Sequence, residues 1–232
     1  SEKAQDSRLR AEGYRLQENI MTLTNLRGWR LATAGACVIA LGAGVAAQTM
    51  QINGAGATFP YPIYSKWFSE YNKLKPNVQI NYNSIGSGGG IRQLQNQTVF
   101  FGATDGPMTN DQLAAAPGRI LHFPTVLGSV VPIYNLTGLS AELKFTGPLL
   151  ADIFLGKVTK WNDPAIAKVN AGVALPNKDI TVVHRSDGSG TTYVWVDYLA
   201  KVSAEWKQRV GVATSVNWPV GLGGKGNEGV AG

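Results

Sequence analysis

The sequence of 232 residues holds a single cysteine, Cys37, and two histidines, His122 and His184. One cysteine forms no internal disulfide and no multi-cysteine zinc site, and two histidines leave little for a metal centre, so neither metal nor cofactor is expected. Charge is scarce as well. Only 16% of residues are charged, against 44% hydrophobic, which excludes a disordered chain; the absence of a heptad or a Gly-X-Y period excludes coiled coils and collagen. Lys and Arg number 21 against 15 acids, but they are scattered singly, without the run or stripe that would mark a nucleic-acid footprint. What the chain has in quantity is glycine, 28 residues, alongside 11 prolines. This is the composition of a globular, loop-rich protein of one or two domains.

The first fifty residues read as separate from the fold. Leu31 to Ala47 (LATAGACVIALGAGVAA) carries no charge, Arg27 and Arg30 precede it, and Val45-Ala46-Ala47 supplies small residues for cleavage, so residues 21–47 are expected to be a secretory signal peptide. The rival is a membrane anchor, which needs about 20 apolar residues rather than this shorter Ala/Gly-rich stretch. Lipidation at Cys37 is not expected, because apolar sequence continues beyond it. Residues 1–20 form a polar extension with four basic and four acidic side chains, placed ahead of Met21, where an export signal would begin.

After Ala47 short apolar runs alternate with amphipathic helices, the pattern of an α/β chain. Tyr61 to Lys75 places Ile63, Trp67, Tyr71 and Leu74 on one helical face. Val78–Tyr82 reads as a strand, Ile91–Gln97 as a helix and Phe100–Thr104 as a buried strand. Ile120–Phe123 and Val130–Asn135 read as further strands, Pro148–Leu155 as a helix opened by its proline, and Ile180–His184 as a buried strand. The last long helix, Ser189–Val202, turns Val194, Tyr198, Leu199 and Val202 inward.

Four glycine-bearing turns each follow a predicted strand: GAGATFP from Gly54, GSGGG from Gly86, TDGP from Thr104 and RSDGSGT from Arg185. All but the third open a helix. In an open α/β sheet such strand ends share one crevice, where ligands bind. Helix N-termini offer free N–H groups and partial positive charge, and glycine lets an anion approach the backbone, so together the turns form an oxyanion cradle. Thr58, Ser87, Ser189 and Thr191 add hydroxyl donors and Arg185 a two-pronged charged donor. Taken singly, each has a plainer reading: 86–90 as a loop, Thr58 and Ser189 as helix caps.

Known phosphate-handling and hydrolytic motifs fail. Gly224-Lys225 has Pro219 where a P-loop needs its first glycine and Gly226 where it needs Ser or Thr. Ser189 has Asp187, not glycine, two positions before it, so there is no nucleophile elbow. Asp105 is informative because a carboxylate beside an anion site repels the anion. One reading is a turn-capping aspartate before Gly106-Pro107. The other is an acceptor for an anion that still carries a proton, which describes phosphate near neutral pH and not sulfate. An unpaired buried acceptor would discriminate by about 10⁴-fold.

At these residues the chain resembles the periplasmic phosphate-binding proteins of bacterial high-affinity phosphate ABC importers, the PstS family. The motifs are AGATFP, IGSGGG from Ile85, FGATD from Phe101, DIFLGKVTKWND from Asp152, RSDGSGT from Arg185 and WPVGLGGKGNEG from Trp218. The resemblance implies an α/β, type II periplasmic binding protein fold of two lobes with a ligand cleft, the first lobe over 48–125 and the second over 126–232. It implies phosphate held by the Thr58 and Phe59 N–H groups and the Thr58 hydroxyl, by Ser87, by Asp105 as proton acceptor, by Arg185, and by Ser189, Gly190 and Thr191. Asp187 would orient Arg185 from behind. It further implies a monomeric, non-enzymatic periplasmic protein whose partners are inorganic phosphate and an inner-membrane ABC phosphate permease, with no nucleic acid. Phe100, Thr104 and Gly88 depart from the family pattern without removing a contact. The family continues past GKGNEGVAG, so the resemblance also implies truncation at Gly232, with both lobes incomplete. The rivals are a secreted phosphatase or serine hydrolase using Ser189 with His184, and a truncated, non-transporting binder.

Overall fold

A computed structural model describes residues 49–139 and 141–232. The polar extension expected over 1–20, the signal peptide expected over 21–47 and Cys37 lie outside the described residues.

The first sheet is parallel, in the order β2-β1-β3, built from β1 (Met50–Gly56), β2 (Val78–Ser84) and β3 (Phe101–Ala103). β1 pairs along its whole length, from Met50 opposite Val78 to Gly56 opposite Ser84, while β3 contributes a short edge with Phe101 opposite Gly54. Parallel neighbours need crossover connections, and α1 (Tyr61–Leu74) and α2 (Ser87–Gln95) supply them. The glycines of the second turn are a packing requirement of this arrangement. A Cβ on Gly90 would lie 2.5 Å from the Gly56 Cα and 2.6 Å from the Ala55 oxygen, so α2 rests directly on the β1 backbone. The helix accordingly starts at Ser87, inside the turn, earlier than the Ile91 start expected from the sequence.

The face of α1 differs from expectation. Tyr64 is its buried residue, whereas Trp67, Tyr71 and Leu74 are exposed. The sheet decides the phase: Tyr64 meets the Tyr82 ring edge-on at 5.3 Å and reaches the Thr125 hydroxyl at 2.7 Å, and Phe68 meets Phe101 edge-on at 6.2 Å. Apolarity ranks Trp67 and Leu74 ahead of a tyrosine, but only the tyrosine both fills the aromatic surface and satisfies its hydroxyl.

After β3 a short helix α3 (Asn110–Ala114) opens with a capping box, in which Thr109 and Gln112 exchange side-chain and backbone bonds. From Ala115 to Leu139 the backbone is irregular. The strands expected at Ile120–Phe123 and Val130–Asn135 are not formed: neither segment pairs with a strand among the described residues, and without a ladder partner apolar composition alone makes no strand. Leu121, Phe123, Leu127, Val131 and Ile133 are left exposed.

The remaining elements are α4 (Gly147–Phe154), α5 (Pro164–Val169), β4 (Val183–Arg185), α6 (Gly190–Val202), α7 (Ala204–Arg209), β5 (Leu222–Gly224) and α8 (Gly226–Ala231). β4 and β5 form a second parallel sheet, with Arg185 opposite Gly224. α4 starts as expected, with Thr146 as its cap and Pro148 in its first turn. It is amphipathic twice over. Leu149 and Ile153 join a core with Val158, Ile166 and Val182, and Ala151 and Leu155 join another with Val196, Leu199 and Trp206. That second core sets the phase of α6: Val196 and Leu199 are fully buried, while Val194 and Tyr198, expected inward, remain exposed. The strand expected at 180–184 is shorter and later, preceded by a lone bridge between Lys160 and Asp179.

Candidate functional site

Every candidate group stands just beyond a strand or, for Arg185, at its last residue. Thr58 and Phe59 follow β1, Ser87 opens α2 after β2, and Asp105 follows β3; Asp187, Ser189, Gly190 and Thr191 lead from β4 into α6. Ser87 and Ser189 are fully buried and Thr58 and Arg185 nearly so.

Contacts join the residues that follow the two sheets. The Gly88 N–H donates to the Gly188 carbonyl at 2.9 Å. The Thr191 hydroxyl donates to the Asp105 carboxylate at 3.4 Å, and the Asp105 N–H donates to the Ser87 hydroxyl oxygen at 3.3 Å. Gly190 is the tightest point: a Cβ there would lie 2.5 Å from the Ser87 hydroxyl oxygen and 2.6 Å from the Asp105 Cβ. Only glycine lets the start of α6 come this close to both.

Arg185 is the one strongly buried cation of the cluster, at 6% exposure. Its Nε donates to Asp187 Oδ1 at 2.6 Å and its Nη2 to Asp187 Oδ2, a bidentate fork; its Nη1 donates to Asn227 Oδ1 at 2.7 Å and to the Thr58 hydroxyl oxygen at 3.2 Å. Such a charge costs several kcal/mol to bury alone, and the fork makes its burial tolerable. Asp187 also accepts the Gly226 N–H at 3.1 Å. Burial works to raise the Asp187 carboxyl, but the Arg185 hydrogen bond, the Gly226 N–H and the guanidinium charge outweigh it and hold the group below the usual carboxylate range. Asp105 goes the other way. Burial raises its carboxyl, and the Thr191 hydroxyl and N–H with the Arg185 charge only partly offset this.

The structure thus brings Thr58, Ser87, Asp105, Arg185, Asp187, Gly190 and Thr191 into one connected cluster. Ser189 is present in a capping role: its oxygen accepts the Thr192 N–H at 3.1 Å and its own N–H goes to the Thr214 carbonyl at 2.8 Å, leaving the hydroxyl hydrogen as its remaining donor. Phe59 stands at the margin, 37% exposed, and among the described residues no hydrogen bond engages the Thr58 or Phe59 N–H. Two cavities, of about 970 and 700 Å³, adjoin the cluster, and Phe59 and Asn227 line both. The larger has a mainly apolar wall from residues 119–131 and meets the polar groups at Asp105 and Thr191.

Asn227 and the Gly226 N–H were not among the candidates, although both lie within the GKGNEG motif. Nothing in that motif announces that β5 lies beside β4 and delivers its next turn against Arg185. His184 is not aimed at Ser189. Its ring stacks on Trp218 at 4.6 Å, its Nδ1 lies 3.1 Å from the Arg185 carbonyl, and no hydrogen bond among the described residues joins it to Ser189. Among the described residues no group of three or more His, Cys, Asp or Glu side chains could hold a metal ion.

Comparison with known proteins agrees with this architecture. The chain is 58% identical over 185 residues to the phosphate-binding protein PstS of Pasteurella multocida, covering 79% of this chain and 53% of that protein. It is 55% identical to the phosphate-binding protein PstS of Xylella fastidiosa strain Temecula1, covering 79% of this chain and 50% of that one. The chain spans about half the length of the curated relatives it matches. Among solved structures, a substrate-binding protein from Clostridium perfringens assigned to a phosphate ABC transporter and holding phosphate shares the fold, with a TM-score of 0.54 at 19% identity, over 78% of this chain and 64% of that one. A family model described as the PBP superfamily domain matches residues 42–230, and with the parallel α/β sheets and the strand-end cluster in place, the chain belongs to the PBP superfamily.

Proposed function

We propose that this chain is the phosphate-capturing part of an ABC importer's binding protein. The observation that carries the reading is the pairing of opposites within one cluster: a buried guanidinium and two helix starts that attract an anion, with one carboxylate that Arg185 does not hydrogen-bond, Asp105, which tolerates the anion only if it brings a proton. Phosphate meets that condition near neutral pH, and sulfate does not. On binding, the anion takes the Arg185 donor now given to Thr58 and the Thr191 donor now given to Asp105, and Asp105 accepts a hydrogen bond from the proton that the anion keeps. Thr58, Phe59, Ser87, Ser189 and Gly190 supply further hydroxyl and N–H donors. No bond is made or broken, which fits the lack of a Ser189–His184 pair; the role is binding, not catalysis.

Residues 48–125 and 126–232 act as two lobes that close on the anion by hinge motion. The protein works in the periplasm, as a monomer, and delivers phosphate to an inner-membrane ABC permease. Relatives named phosphate-binding proteins support the ligand class. Calorimetry on the 232-residue chain tests the reading: heat with orthophosphate and none with sulfate is expected, and equal heats or none with either would overturn it.

A further inference from the structure

We infer that Asn227 is a positioning residue for the anion, the neutral counterpart of Asp187 on the other flank of Arg185; this rests on the phosphate-binding reading above. A guanidinium carries five N–H donors. Asp187 takes two of them side-on, through Nε and Nη2, and Asn227 takes one from Nη1. One hydrogen then remains on each terminal nitrogen, and the Nη1 one is directed at the Thr58 hydroxyl. Those two hydrogens are what Arg185 can offer an incoming anion.

The two flanks differ in charge, and the difference matters. Asp187 neutralises the guanidinium in part, which makes its burial tolerable. A second carboxylate on the Nη1 side would cancel the attraction altogether and repel the ligand. An amide oxygen accepts the same hydrogen bond without that cost, so Asn227 fixes the orientation while leaving the charge to the anion. Asn227 also lines both cavities beside the cluster. The adjoining Gly226 N–H binds Asp187 Oδ1, so this one turn of α8 holds both members of the Arg185–Asp187 pair.

The test uses the 232-residue chain with Asn227→Ala and Asn227→Asp, read by phosphate calorimetry, thermal melting and ¹⁵N NMR of the Arg185 side chain. In the parent chain the two Nη1 hydrogens should give separate, slowly exchanging signals. Asn227→Ala should average them and weaken phosphate binding by about tenfold, the loss of one charge-assisted hydrogen bond. Asn227→Asp keeps the acceptor and the shape, so the signals should stay separate while affinity falls further and with a steeper dependence on salt. A purely structural role would instead lower the melting temperature in both variants with the NMR pattern unmoved, and that result overturns the inference, as does Asn227→Ala affinity within twofold of the parent. If the parent chain shows no phosphate heat while the Nη1 signals still respond to Asn227→Ala, the functional reading fails and the positioning contact stands.

Discussion

The Cα of Gly190 faces the Ser87 hydroxyl oxygen and the Asp105 Cβ so closely that one added methyl group would fall within 2.6 Å of both. This closeness makes Gly190→Ala a sharp test. Alanine suits the first position of a helix, so the local backbone is not strained, and the methyl group must instead push the start of α6 away from Ser87 and Asp105. Phosphate affinity should fall at least tenfold, with a stability loss of about 1–3 kcal/mol from overpacking, measured by calorimetry and urea unfolding.

Asp105 predicts a pH-dependent selectivity. Its carboxyl is raised above the ordinary carboxylate value, chiefly by burial. As pH falls through that raised value the group gains a proton and becomes a donor, which suits a fully ionised anion. The preference for phosphate over sulfate should therefore shrink on acidification. Asp105→Asn should show the relaxed preference at neutral pH, with weaker phosphate binding, and lose most of the pH trend; competition calorimetry from pH 7 to 4 reads both.

Asp187 has the opposite sign. Its folded value lies below the ordinary 3.8, so the stability it contributes is present above that value and is lost as pH falls through the depressed one. Arg185→Ala leaves the half-buried Asp187 without its cation and should cost about 2–4 kcal/mol, less than for a fully buried pair. The double change Arg185→Ala with Asp187→Ala should recover part of that loss without restoring phosphate binding. Thermal melting of the three variants at pH 7 checks the order.

Two leucines separate core from surface. Leu199 is fully buried between α4 and α7, and Leu199→Ala should cost about 2–5 kcal/mol. Leu127 is 97% exposed, and Leu127→Asp should change stability by less than about 0.5 kcal/mol. Urea denaturation of both variants makes the comparison.

Much of the candidate cluster is legible in the sequence because its chemistry is local. Glycine, hydroxyl and helix start recur within a few residues in GAGATFP, GSGGG and RSDGSGT, and strand-end topology gathers such turns. Asn227 was not legible, because its role depends on β5 pairing with β4, a contact between segments far apart in the chain. The face of α1 was misread for a related reason: periodicity counts apolar residues, whereas the aromatic surface of Tyr82 and Phe101 selects Tyr64 and Phe68. The apolar runs at 120–123 and 130–135 have strand composition, but a strand exists only where a neighbouring edge accepts its hydrogen bonds.

The stack of His184 on Trp218 places an indole one residue from Arg185. Any shift of β4 as the guanidinium changes partners would alter the overlap of the two rings and so the fluorescence yield of that tryptophan. On the proposed function, Trp218 is thereby an optical probe of anion uptake, and Trp218→Phe should remove its signal while leaving the proposed donors in place.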